Sequence, residues 1–293
     1  MFKGSYVALV TPMFEDGSID FESLRSLVEF HISSGTHGIV SVGTTGESAT
    51  LPFEEHILVI KKTIEYAAGR IKIIAGSGAN STSEAIELSQ EIAKSKIDGF
   101  LSVVPYYNKP QQRGMIAHFE AIADSTPLPV LLYNVPGRTV ADMQSSTVAE
   151  LAKHDRIVGI KDATGDLRRF TETKSLVPDD FVILSGDDVT GCEFLCLGGD
   201  GVISVTANVV PKQMAKMTEA AAKGDLALAR EIDKEISALH DLLFIEPNPV
   251  MPKWALYKMK MMKNAFLRLP MVQAELNNKN AIEQALQALK IIS

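Results

Sequence analysis

Lys161 closes the stretch Ile157-Val158-Gly159-Ile160, which carries no other charge. A lysine at the end of an apolar strand points either into the protein or out toward a helix and solvent. Burial disfavours the ammonium and favours the free amine, the nucleophile that adds to a carbonyl carbon and forms a Schiff base. With its head in water it is an ordinary surface cation. Tyr133 likewise ends an apolar run, Val130-Leu131-Leu132. A phenol beside a free amine can shuttle protons while a carbinolamine forms and collapses. Taken alone, the residue reads more readily as a core tyrosine with a satisfied hydroxyl. Thr44 and Thr45 lie between glycines in Gly43-Thr44-Thr45-Gly46-Glu47, a turn whose backbone N–H groups can hold a carboxylate. Thr44 and Glu47 also fit the spacing of a capping box, but the next helix signal begins later, at Pro52 with Glu54 and Glu55. Arg138, in a Pro-Gly turn just past Tyr133, offers a planar fork to a carboxylate or is an exposed loop arginine.

Eight short runs rich in Val, Ile and Leu must position these groups: Tyr6–Val10, Gly38–Val42, Ile71–Ala75, Phe100–Val104, Val130–Tyr133, Val158–Lys161, Val182–Ser185 and Val202–Val205. Most are continuously apolar, the mark of strands buried on both faces of a parallel sheet. Amphipathic segments fill the gaps, among them Phe21–Ser33, Glu54–Ala67, Ser83–Ala93 and Met115–Ala123. Eight repeats of strand then helix predict an α/β fold, a (β/α)8 TIM barrel, ahead of an open doubly wound sheet. No glycine-rich dinucleotide turn follows the first strand, where TPMFEDGSID stands. The predicted organisation is a barrel over residues 1–210 and a C-terminal helical extension over residues 211–293, packed as one unit. Glu246-Pro247-Asn248-Pro249 interrupts that extension, which predicts three helices there. In barrels, chemistry sits on the loops after the C-terminal strand ends. Those ends carry Thr44 and Thr45, Gly76 to Asn80, Pro105 to Lys109, Tyr133 to Arg138, Lys161-Asp162 and Gly186-Asp187-Asp188.

Composition narrows the function classes. A formal charge of -7, from 29 basic and 36 acidic residues, supplies no basic stripe for nucleic acid. No run approaches the ~18 apolar residues of a membrane span, and the N-terminus lacks a signal-peptide pattern, so a cytoplasmic protein is expected and the sequon Asn80-Ser81-Thr82 is expected to be idle. Cys192 and Cys196, four residues apart, share one helix face where a disulfide is awkward. They read as small buried hydrophobes, with no further ligands at metal spacing. No metal is expected from the six histidines or from Asp187 and Asp188, and the glycine-rich loops lack the Lys-Ser/Thr of a nucleotide P-loop.

No single residue decides the chemistry, but the set resembles a known family. Gly43-Thr44-Thr45-Gly46-Glu47, Tyr133-Asn134-Val135-Pro136-Gly137-Arg138-Thr139 and Gly159-Ile160-Lys161-Asp162 resemble the signatures of the dihydrodipicolinate synthase and N-acetylneuraminate lyase family, in matching order and spacing from Gly4 to the C-terminal helices. Val103-Val104-Pro105-Tyr106-Tyr107-Asn108-Lys109-Pro110 and the Arg138 segment resemble the synthase branch, since sugar-acid lyases of the family carry other residues where Arg138 stands. The resemblance implies an imine between Lys161 and pyruvate, with no separate cofactor. The derived enamine adds to aspartate semialdehyde and the product cyclises. It further implies a proton relay of Tyr133, Thr44 and Tyr107, with Thr45 and the Thr44–Thr45 amides holding the pyruvate carboxylate. Arg138 would receive the semialdehyde's carboxylate, while Gly186 and Ile203 would line the pyruvate pocket.

The family is typically a homotetramer of paired dimers, with Tyr107 lent across the tight interface and often with an inhibitory L-lysine site. Ala49, His56, Asn80, Glu84 and Tyr106 match that site's pattern, whereas Phe53 replaces the polar histidine usual in lysine-sensitive members. An aromatic ring there removes one polar contact and implies weakened inhibition. Two alternatives stand beside the synthase reading: a family lyase acting on another 2-keto acid or a sugar acid, and a non-catalytic keto-acid-binding regulator.

Overall fold

The computed structural model describes residues 1–293. Eight parallel strands close into one barrel in sequence order: β1 (Gly4–Ala8), β2 (Gly38–Ser41), β3 (Lys72–Gly76), β4 (Gly99–Val103), β5 (Val130–Asn134), β6 (Ile157–Asp162), β7 (Val182–Ser185) and β8 (Gly201–Ser204). Closure runs through β1 and β8, with Tyr6 opposite Ile203. The barrel reading thus stands and the open sheet is set aside. The strand bounds differ from the apolar runs by a residue or two. β1, for example, starts at Gly4, whose N–H bonds Asp200 O, and stops before the equally apolar Leu9 and Val10.

Alternation along each strand divides the core in two. Inward side chains such as Tyr6, Val40, Leu131, Tyr133, Leu184 and Ile203 fill the barrel. Outward ones such as Val7, Ile39, Leu132, Ile160 and Val202 join the larger apolar layer beneath the helices. The helices are placed by ordinary local signals. Asp20 caps Phe21–Ser33 by accepting from Ser23 N, and Ser81, the middle residue of the sequon, caps Thr82–Ile92 by accepting from Glu84 N. Helix Phe53–Ala67 follows Pro52 and carries Glu54 and Glu55 in its first turn.

The C-terminal extension corrects one expectation: it holds four helices, Pro211–Ala222, Leu226–Leu242, Val250–Lys258 and Leu276–Ala288. Besides Glu246–Pro249, the chain breaks over residues 259–275 and at Gly224, with φ +80°, followed by Asp225, which caps the next helix through Leu228 N. Met214, Leu239, Leu256 and Leu286 from these helices belong to the same apolar layer as the barrel's outer faces. No helix is long and apolar enough to cross a membrane.

Candidate active site

Ladder register brings the two chemical side chains together. Tyr133 on β5 pairs with Lys161 on β6, and Lys161 pairs in turn with Leu184 on β7. Paired residues in a parallel ladder share a face, so Lys161 faces the barrel interior with Tyr133 and Leu184 rather than the helices. Lys161 is 5% exposed and its Nζ stands 4.2 Å from the centre of the Tyr133 ring. No carboxylate forms an ion pair with it, whereas the other buried lysine, Lys253, is paired with Glu47 at 2.5 Å. The space for the Lys161 chain depends on Gly186. A Cβ there would lie 2.6 Å from Lys161 Cε and 2.8 Å from Ala163 Cβ, closer than packing permits. Ile203, on β8, is 1% exposed and faces the same interior.

The Gly43–Glu47 turn caps the mouth beside them. It is held by Gly46 N to Gly43 O and Glu47 N to Thr44 O, while the amides of Thr44 and Thr45 bond no backbone carbonyl. Two donors left free at the end of an apolar barrel are suited to an anion. The turn is backbone-strained: Val42, a β-branched residue, has φ +54° and Glu47 has φ +59°. The capping-box alternative is not formed. Glu47 is buried and its carboxylate accepts from Lys253 Nζ and from Arg268 N at 3.2 Å. Burial pulls the Lys253 ammonium below its usual range while Glu47 opposes the fall.

Thr45 is buried and its Oγ1 accepts from Asn248 Nδ2 at 2.9 Å, while Arg138 Nη2 donates to the Asn248 carbonyl at 3.2 Å. Arg138 and Thr44 line a cavity of about 580 Å³ at the mouth. That cavity runs outward past Ala49, Phe53, His56, Glu84 and Tyr106; Lys161 is not among its walls. Asn80 does not line it but donates from Nδ2 to Tyr106 O at 3.3 Å. His56 Nε2 lies 2.8 Å from Gly76 O, and burial lowers its pKa.

The structure does not bring Tyr107 into the cup formed by this single chain. Its side chain is 89% exposed and its φ is +73°. Asn248 and the Glu47–Lys253 pair were not singled out as functional from sequence. The only signal was a polar residue fixed between two prolines.

Groups that could hold a metal are otherwise engaged. Asp187 accepts from Thr190 N and Oγ1, and Asp188 accepts from the amides of Val205 and Thr206. Cys192 and Cys196 share one helix, Gly191–Cys196, with Cys192 buried. Glu193 brings a third donor within 4.8 Å of both thiols, which the sequence spacing had not suggested. Its two oxygens take Arg230 at 2.6 and 2.9 Å, and burial pushes the Cys192 thiol up to about 12.

Comparison with known proteins gives the chain's family. A 4-hydroxy-tetrahydrodipicolinate synthase of Pseudoalteromonas atlantica is 65% identical over 293 residues, covering 100% of both chains. The chloride-inhibited dihydrodipicolinate synthase of Acinetobacter baumannii, solved in complex with pyruvate, superposes with a TM-score of 0.98 at 46% identity over 100% of both chains. The enzyme of Cyanidioschyzon merolae, solved with lysine bound, gives 0.96 at 37% identity over 99% of each chain. The model of the dihydrodipicolinate synthetase family matches residues 1–289, and this chain belongs to that family.

Proposed function

We propose that this chain is a class I aldolase that condenses pyruvate with L-aspartate 4-semialdehyde, the 4-hydroxy-tetrahydrodipicolinate synthase reaction of lysine and diaminopimelate biosynthesis. The observation that carries the proposal is Lys161: a buried amine without an ion pair, 4.2 Å from the Tyr133 ring, at the end of a barrel strand. The amine adds to C2 of pyruvate, and loss of water from the carbinolamine leaves an imine. A proton lost from C3 gives the enamine, whose C3 attacks the aldehyde carbon of the semialdehyde. The semialdehyde's own amine then displaces Lys161 from C2, closing the ring and freeing the enzyme.

Each step assigns a role. The free amides of Thr44 and Thr45 and the Thr45 hydroxyl hold the pyruvate carboxylate. Arg138, at the wall of the mouth cavity, takes the carboxylate of the second substrate. Tyr133, Thr44 and Tyr107 relay protons. Tyr107 is almost wholly exposed on a left-handed backbone, so its part requires a second copy of the chain, as in a homotetramer built from tight dimers. No separate cofactor enters this scheme. The outer part of the cavity is proposed to receive L-lysine, with Glu84 facing the ammonium and Phe53 removing one polar contact.

The test is pyruvate consumption with aspartate semialdehyde against N-acetylmannosamine, for wild type and Lys161→Ala. Turnover with the semialdehyde alone, lost in the variant, is expected. Turnover with the sugar would keep Lys161 but overturn the role of Arg138. Borohydride reduction with pyruvate that adds no mass at Lys161 would leave only a keto-acid-binding protein.

A further inference from the structure

Asn248 lies in Pro247-Asn248-Pro249, 203 residues from Thr45 in sequence, yet its buried side chain reaches the barrel mouth. It touches both residues that the proposed function gives to substrate carboxylates. Its side-chain Nδ2 donates to Thr45 Oγ1 at 2.9 Å, and its backbone carbonyl accepts from Arg138 Nη2 at 3.2 Å. The carboxamide Oδ1 is buried with no partner. Turning the amide over would pair that oxygen with the Thr45 hydroxyl but bury both N–H donors unpaired, so the donating orientation is the better satisfied one.

A threonine hydroxyl has one hydrogen to give and two lone pairs to offer. Because Asn248 donates to Thr45, a lone pair of Oγ1 is taken and its single hydrogen is left for another acceptor. We propose that Asn248 is the positioning residue that aims the Thr45 hydroxyl hydrogen at the carboxylate of pyruvate. The inference rests on the reading of Thr45 as a pyruvate contact. The work is divided within one residue: the side chain serves Thr45, and the backbone carbonyl, which no substitution removes, serves Arg138.

Steady-state kinetics on the full-length enzyme separate this role from a structural one. Asn248→Ala removes the donor and lets the Thr45 hydroxyl turn, so the KM for pyruvate should rise by about fivefold, the worth of one ordinary hydrogen bond. The KM for the semialdehyde should stay within about twofold, since the carbonyl that holds Arg138 remains. Asn248→Asp keeps the shape but can only accept. It captures the Thr45 hydrogen and sets a negative charge against the incoming carboxylate, so the pyruvate KM should rise by at least about tenfold. In a Thr45→Val background, Asn248→Ala should add less than about twofold, because its target is gone. Thermal melting reports folding, and if one Asn248 variant fails to fold the other carries the test. Equal rises in both KM values, or effects that add fully to Thr45→Val, would mean that Asn248 only braces the segment and would overturn the proposal. Borohydride trapping of pyruvate on wild-type Lys161 distinguishes the two levels. No trapping in wild type defeats the functional reading itself, whereas trapping without the KM pattern defeats the role of Asn248 alone.

Discussion

Gly186→Ala tests whether the Lys161 amine acts from one fixed position. The added Cβ would sit 2.6 Å from Lys161 Cε, 3.1 Å from Lys161 Cγ and 2.8 Å from Ala163 Cβ. Carbon atoms pack at about 3.5–4.0 Å, so the lysine end must retreat by about 1 Å. Ala163 follows β6 directly, and its N–H is tied to Asn134 O at 2.9 Å, so it yields little. The flexible lysine chain yields instead, which should spare the fold and spoil the alignment of Nζ. A displacement of about 1 Å at the reacting atom costs on the order of a hundredfold in rate, or about 2.7 kcal/mol of barrier. The assay is rapid-quench borohydride trapping of the pyruvate imine, read by mass at Lys161, beside a melting curve. An imine formed about a hundred times more slowly, with an unchanged melt, is the expected result. Trapping at the wild-type rate would show that the amine has freedom the packing does not allow, and the reasoning would fail.

Two further outcomes follow from buried ionisable groups and a third from the wall of the mouth cavity. Lys253→Met strands the Glu47 carboxylate, which is buried with Lys253 at 0% and 2% side-chain exposure. Urea unfolding should show a loss of about 3–5 kcal/mol, most of it recovered by adding Glu47→Gln; a loss below about 1 kcal/mol would contradict the pairing argument. Burial holds the His31 imidazole neutral down to about pH 3, with Nε2 unpartnered, so its folded pKa lies below the unfolded value. The sign is therefore loss of stability as pH falls below about 6.5, by about 1.4 kcal/mol per unit from His31 alone. His31→Leu should reduce that slope by one proton, and an unchanged slope would exclude His31 as its source. Phe53 walls the outer cavity beside His56 and Glu84, where a histidine would add a donor. Calorimetric titration with L-lysine should show tighter binding to Phe53→His than to wild type, by about 1 kcal/mol for one hydrogen bond; equal affinities would remove Phe53 from the account.

The barrel was legible because its strands are buried on both faces and read as apolar runs, a signal that needs no knowledge of partners. Their ends were less so, since the ladder, not hydrophobicity, decides where a strand stops. Gly4 and Ser5 pair with Gly201 and Val202 although neither is strongly apolar. Lys161 was visible as the one charge closing such a run, but its direction was not. Inward and outward differ by one residue of register, which only the pairing of Tyr133 with Lys161 decides. The helix count in the extension fell short because Glu246–Pro249 was the one break read there, whereas the chain also turns on a left-handed backbone at Gly224 and runs without helix from 259 to 275. Asn248 was out of reach for a different reason. A hydrogen bond across 203 residues leaves no local pattern, and a polar residue between prolines reads only as a helix breaker.

That last contact changes what the C-terminal helices are for. β5 and β6 deliver Tyr133 and Lys161 on a rigid ladder, but the turn that bears Thr44 and Thr45 is not rigid by its own chemistry. Val42 and Glu47 hold left-handed backbones that cost about 1–3 kcal/mol each and persist only where surroundings over-determine them. The surroundings that do so come from the far end of the chain. Lys253 and Arg268 grip the Glu47 carboxylate, Arg268 also donates to Thr50 O at 3.0 Å, and Asn248 holds Thr45. An extension that only covered the barrel would need apolar contacts alone. This one adds a buried ion pair and a buried amide, both costly to desolvate, and aims both at a single five-residue turn. Lys161, the proposed nucleophile, is therefore set by the barrel and the turn proposed to hold a carboxylate by the extension, and the geometry between them depends on both being folded.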